Sequence, residues 1–150
     1  MLADLLKLLR GEAEPSALST EDQKLALAAL MVRVARADHD YAASEVAMID
    51  SVLKRRFELD DAAAAAIRAD AETLEAQAPD TVRFTRTIKD TVPYETRDAI
   101  AEALWSIALA DGDRADEENA LLRMVVNLLG ITDQDSALAR QRAEAAIGSQ

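Results

Sequence analysis

The sequence predicts an all-α protein in which one three-helix unit is used twice. Alanine, leucine, glutamate and arginine dominate its 150 residues, and only four glycines and three prolines interrupt them. No glycine-rich loop follows a strand-like run, which argues against nucleotide-binding α/β folds. The chain also repeats itself. Aligned with a shift of 73, residues 31–53 (MVRVARADHDYAASEVAMIDSVL) and 104–126 (LWSIALADGDRADEENALLRMVV) share eight identities in 23 positions, and five further pairs exchange one aliphatic residue for another. A chain of this length fits a single domain, residues 1–150, with one substantial core.

Residues 1–10 carry Leu2, Leu5, Leu6 and Leu9 at i, i+3, i+4 and i+7, one stripe of a short helix that either docks on the core or touches a membrane or partner. Residues 11–18 contain Gly, Pro and Ser and read as a linker. The first repeat, 19–78, opens where Ser19 followed by Asp22 approximates a capping box, and Leu27, Leu30, Met31, Val34 and Ala35 form a core-facing stripe. An acidic corner at 38–42 leads to a second helix over about 43–57, with Val46, Ile49, Val52 and Leu53 inward. Asp60 or Asp61 caps a third helix through an alanine run. Its stripe is thinned to Ile67, Ala71 and Leu74, which predicts a weakly packed, peripheral element.

Pro79 and Asp80 restart the chain into a connecting helix, 79–92, with Phe84, Ile88 and Val92 on one side and Arg83, Arg86 and Lys89 on the other. The second repeat, 93–147, opens at Pro93. Ile100, Leu104, Ile107 and Ala108 repeat the earlier inward stripe, and Trp105 beside them reads as core. After a corner at 111–115 a helix follows with Leu121, Leu122, Val125 and Leu128 inward. Gly130 stands where a left-handed C′ residue would end it. A last helix runs from about Asp133 to Ala146.

The formal charge of −11 makes nucleic acid a poor partner, since phosphate neutralisation needs clustered Lys and Arg. Absence of cysteine excludes a disulfide framework, a thiolate nucleophile and Cys-based zinc or iron–sulfur sites. No apolar run approaches the ~20 residues of a membrane span, and the start is too short and too weakly basic for a signal peptide, so a cytoplasmic protein is expected. Lys54, Arg55 and Arg56, like the stripe on the connecting helix, either face an acidic partner or are solvated helix faces.

The closest part of the internal match is Ala-Asp-x-Asp followed five residues later by Glu. Asp38, Asp40 and Glu45 answer to Asp111, Asp113 and Glu118. Clustered carboxylates with helix-end carbonyls are hard oxygen ligands suited to Ca²⁺, Mg²⁺ or Mn²⁺. The same residues can equally end one helix and start the next, with Gly112 at positive φ and the acids stabilising the N–H groups of the following N-terminus. The spacing is not that of an EF-hand, which needs a third acid at position five, glycine at six and glutamate at twelve. His39, the single histidine, is either a solvated loop residue or a further ligand beside Asp38 and Asp40. No serine motif, cofactor motif or second catalytic group accompanies these acids, so no enzymatic activity is expected.

With its duplicated corners between helix pairs, residues 110–118 (ADGDRADEE) and the terminating Leu129-Gly130-Ile131, the chain resembles the TerB-like family over about residues 19–146. That family is named for tellurite resistance proteins and shares its helical fold with the N-terminal region of the membrane-anchored co-chaperone DjlA. The resemblance implies a compact seven- to eight-helix bundle with pseudo-two-fold symmetry and a cytoplasmic, stress-linked role. It also implies work through protein partners, membrane-associated ones included, or bound cations, in place of catalysis. The acidic positions it carries over are Asp38, Asp40, Glu45, Asp111, Asp113 and Glu118. The chain departs from the family pattern at His39, where glycine is usual, at Tyr41 and Arg114, and at Ala42 and Ala115, where a polar cap is usual. Two further readings follow from the same features: a divalent-cation sensor or buffer, and a co-chaperone-type docking domain. Oligomeric state is left open.

Overall fold

The computed structural model of the chain describes residues 20–36, 41–77, 81–110 and 116–148. Those residues form seven helices and no strand: α1 (Thr20–Ala35), α2 (Ala43–Phe57), α3 (Asp61–Gln77), α4 (Thr81–Thr91), α5 (Tyr94–Ala110), α6 (Asp116–Leu128) and α7 (Asp133–Gly148). The helix ends follow from local chemistry. Asp60 Oδ1 accepts the Ala63 N–H at 2.8 Å to start α3, and Thr132 Oγ1 accepts the Asp135 N–H at 3.1 Å to start α7. α2 ends on Glu58 at φ 55, with the Leu59 N–H bonded to the Lys54 carbonyl. α6 ends on Gly130 at φ 79, with the Ile131 N–H bonded to the Val126 carbonyl. Both are left-handed caps of the Schellman type.

These matched ends refine the repeat. Glu58 pairs with Gly130 and Asp60 with Thr132, a spacing of 72, so the second copy is one residue shorter at this turn than the shift of 73 that relates the preceding helices.

α1 packs along α3 and α5 along α7, the two most extensive helix pairs. Across the molecule α1 meets α5, α2 leans on α5, and α6 reciprocally leans on α1. This is a pseudo-two-fold arrangement. The connecting helix breaks it, because α6 also packs on α4 where its counterpart α2 packs on α3.

The core is built on the two central helices. On α1 every residue from Ala26 to Ala35 except Arg33 is buried, and on α5 Ile100, Ala101 and everything from Ala103 to Ala108 is buried. A helix that is apolar nearly all round has to be enclosed by others. α4 adds Phe84 and Ile88, Val92 follows just past its end, and α6 adds Leu122, Val125 and Val126. Among the described residues no helix is long and apolar enough to cross a membrane.

The expected peripheral character of the third helix is overturned. α3 lies along α1 with Ala64, Ala71 and Leu74 buried. A stripe of alanines is thin in hydrophobicity but small in volume, so the two helices approach closely and bury backbone as well as side chains. Val46, Ile67, Leu121 and Leu128, expected inward, are only half-buried.

Candidate functional site

The first acidic corner is reached from the end of α1 and the start of α2. Asp38, His39 and Asp40 lie outside the described residues, as do Asp111 and Asp113 of the second corner. Glu118 is in the first turn of α6, with its side chain outside the described set. Of the six acidic positions only Glu45 can be placed in atomic detail. It is fully buried, and its Oε1 accepts the Ala42 N–H at 3.1 Å. Ala42 is extended at φ −69, ψ 152 and carries no side-chain oxygen to return the favour. One arm of a capping box is therefore present and the other is missing. The carboxylate also stands in the first turn of α2, where the helix dipole favours negative charge.

Around this corner runs a polar ladder that joins four helices. Arg33 Nε and Arg36 Nη1 donate to the two carboxylate oxygens of Glu75, at 3.2 and 2.9 Å. Arg33 also donates to the Glu75 carbonyl at 3.3 Å and to Thr81 Oγ1 at 3.4 Å, and its guanidinium stacks 5.2 Å from the Phe84 ring centre. Arg36 lies 5.1 Å over the ring of Tyr41. Tyr41 Oη donates to Glu72 Oε2 at 2.8 Å, and Arg68 bridges Glu72 at 3.2 Å to Asp50 at 2.6 Å. Burial first, and then the hydrogen bond to Glu72, push the Tyr41 hydroxyl above its ordinary value. Arg33 and Glu75 keep only 12% and 14% of their side-chain surface exposed, so this pair is shielded enough to matter where surface ion pairs usually do not.

Sequence patterning did not anticipate the ladder, although its signal was present. Arg33 and Arg36 are spaced i, i+3 on one helix, Glu72 and Glu75 likewise on another, and Arg68 precedes Glu72 by four. Among the described residues no group of three or more His, Asp or Glu side chains is placed to hold a metal ion.

A second feature lies between α4 and α6. Val82 on α4 and Met124 on α6 are exposed. Between these helices a groove of about 310 Å³ is lined by Val82, Thr85, Arg86, Lys89, Asp90 and Leu128. Arg86 and Lys89 make no ion pair among the described residues.

A family model described as tellurite resistance protein TerB matches residues 24–141, from the middle of α1 well into α7. The chain belongs to the TerB family. The match spans both corners, the connecting helix and both sets of central contacts, so the all-helical bundle is the fold of this TerB-family chain. No curated protein and no solved structure matches it.

Proposed function

We propose that this TerB-family chain is a non-enzymatic module of a bacterial stress or tellurite-resistance system that acts by binding a protein partner on the α4–α6 face. The supporting observation is a groove that sets exposed Val82 and half-buried Leu128 beside Arg86 and Lys89, with Met124 exposed one turn before Leu128 on α6, on a chain of net charge −11. Apolar side chains left in water next to cations that make no ion pair among the described residues suit an amphipathic, acidic segment of another protein. Charge complementarity would steer that partner to a face where the chain's own acidity does not repel it. A co-chaperone-type docking role is a special case of the same reading, in which the bound segment belongs to a chaperone.

Cation binding at the acidic corners is the competing reading. Glu45 counts against it, since its carboxylate is buried and bonded to the Ala42 N–H at the start of α2. Amide titration of metal-stripped protein with Ca²⁺, Mg²⁺ and Mn²⁺ separates the two. Saturable shifts at residues 38–45 and 111–118, lost in Asp38→Asn/Asp111→Asn, would replace partner binding by a cation role.

The direct test is photo-crosslinking in cells of the source organism from p-benzoylphenylalanine placed at Met124, with Gln141 on the outer side of α7 as the control position. A discrete adduct from position 124, absent from 141 and lost in Arg86→Glu/Lys89→Glu, is the expected result. No adduct, or the same adducts from both positions, would refute the proposal.

A further inference from the structure

The pseudo-symmetry exposes a mismatch between two equivalent surfaces. α4 sits on a bed formed by the opposite repeat and its own. Arg33 meets it through Phe84 and Thr81, Ala26 lines a small cavity with Ile88 and Val92, and Leu128 borders Val82 and Thr85. Adding 73 to Ala26 and Arg33, and subtracting 73 from Leu128, gives Ala99, Ser106 and Arg55. All three line one open groove of about 210 Å³ between α2, α5 and α7. The groove is the counterpart of the seat of α4, and no described helix fills it.

α4 is the segment that immediately precedes the central helix α5. The segment that precedes the other central helix, α1, is residues 1–19, which lie outside the described residues. We propose that residues 1–10 pack in the α2–α5–α7 groove as an amphipathic helix, the counterpart of α4. Leu2, Leu5, Leu6 and Leu9 supply one apolar face, as Phe84 and Ile88 do on α4 with Val92 just past its end. The floor that would receive them includes Ala99, Ala103 and Ala146, small enough for a helix to approach closely.

Arg55 and Arg56 on the rim make no ion pair among the described residues. Residues 1–10 carry Asp4 against Lys7 and Arg10, so the leucine stripe and the repeat symmetry select this occupant and charge does not. Glu102, the acidic residue of the groove, is already engaged by Arg142. Reach is no obstacle. The ten residues from Arg10 to Ser19 span up to about 33 Å when extended at roughly 3.3 Å each.

The chain has no cysteine, so a single nitroxide can be placed on Lys7→Cys, on the polar side of the segment, in the ¹⁵N-labelled full chain. The expected result is loss of most amide peak intensity at Val52, Ala99 and Ala103, with Val82 and Leu128 unaffected. That loss should vanish in Leu5→Asp/Leu6→Asp while the shift of Ile107 stays in place, showing that the bundle remains folded. Losses centred on the α4–α6 face, or none in the folded protein, would overturn the proposal. So would losses that appear when ¹⁵N protein without the label is mixed with labelled protein of natural isotope content, because the occupant would then be a second copy. Partner binding on the α4–α6 face does not depend on any of these outcomes.

Discussion

The two repeats hold their outer helices by different means. Around the first corner, Arg33, Arg36, Tyr41, Asp50, Arg68, Glu72 and Glu75 form a continuous ladder. Their counterparts are Ser106, Leu109, Arg114, Arg123, Arg140, Glu144 and Ile147. One rung survives, as Arg140 reaches Glu144 at 3.8 Å. Asp50 has become Arg123, so a base stands where Arg68 finds its acidic partner, and Arg140 lies 5.1 Å over the Trp105 ring. The second repeat relies on Trp105 Nε1 donating to Ser136 Oγ and on Arg142 joining Asp98 and Glu102. The buried alanines correspond, Ala71 to Ala143, while the polar surroundings do not. Apolar packing kept the two backbones alike, and the polar faces were free to diverge. The acids of the corners are the same in both copies although their neighbours changed.

The sharpest way to break the comparison is to remove one carboxylate from each repeat. Glu75→Ala strips two arginines of their common partner at a shielded site, and a loss of about 2–3 kcal/mol is expected in urea unfolding. Glu144→Ala, on an exposed pair, should change stability by no more than about 0.5 kcal/mol. Equal effects would mean that the ladder contributes nothing special to the first repeat.

The left-handed caps offer an intermediate effect of opposite sign. Gly130→Ala places a Cβ 2.9 Å from Arg97 Nη1 at a φ of +79 and should cost about 1–2 kcal/mol. Glu58→Gly, which relieves a side chain from the same conformation, should stabilise by about 0.5–1 kcal/mol in the same unfolding assay.

The smallest difference is a pH effect. Because the Tyr41 hydroxyl is held above its ordinary value in the folded chain, its contribution is complete below about pH 10 and is lost as pH rises beyond it. Tyr41→Phe should therefore be less stable than the parent by about 1 kcal/mol at neutral pH, and the gap should narrow above pH 10. A gap that is constant with pH would remove the hydroxyl from the ladder's energetics.

Much of this fold could be read from spacing. The stripes on α1, α4 and α5 reported the core because aliphatic residues at i, i+3 and i+4 have no other use, and Gly130 announced its own φ. Reading failed at α3, where alanine hides its packing value behind low hydrophobicity, and at Leu128, which lies beside an α4 whose placement no periodicity encodes. The ladder was missed because each of its charges is unremarkable on its own helix and acquires a partner only when α1 is laid against α3. Of the acidic corners, Glu45 alone could be followed from motif to geometry.

The burial of α1 and α5 on nearly every side has an evolutionary consequence. A single repeat cut from this chain would leave Leu30, Met31 and their neighbours facing water along the line where the other central helix now lies. The economical cover for such a face is a second copy of itself, rotated by half a turn. One repeat on its own is therefore expected to fold only as a homodimer, and joining both copies in one chain releases each half to change on its own.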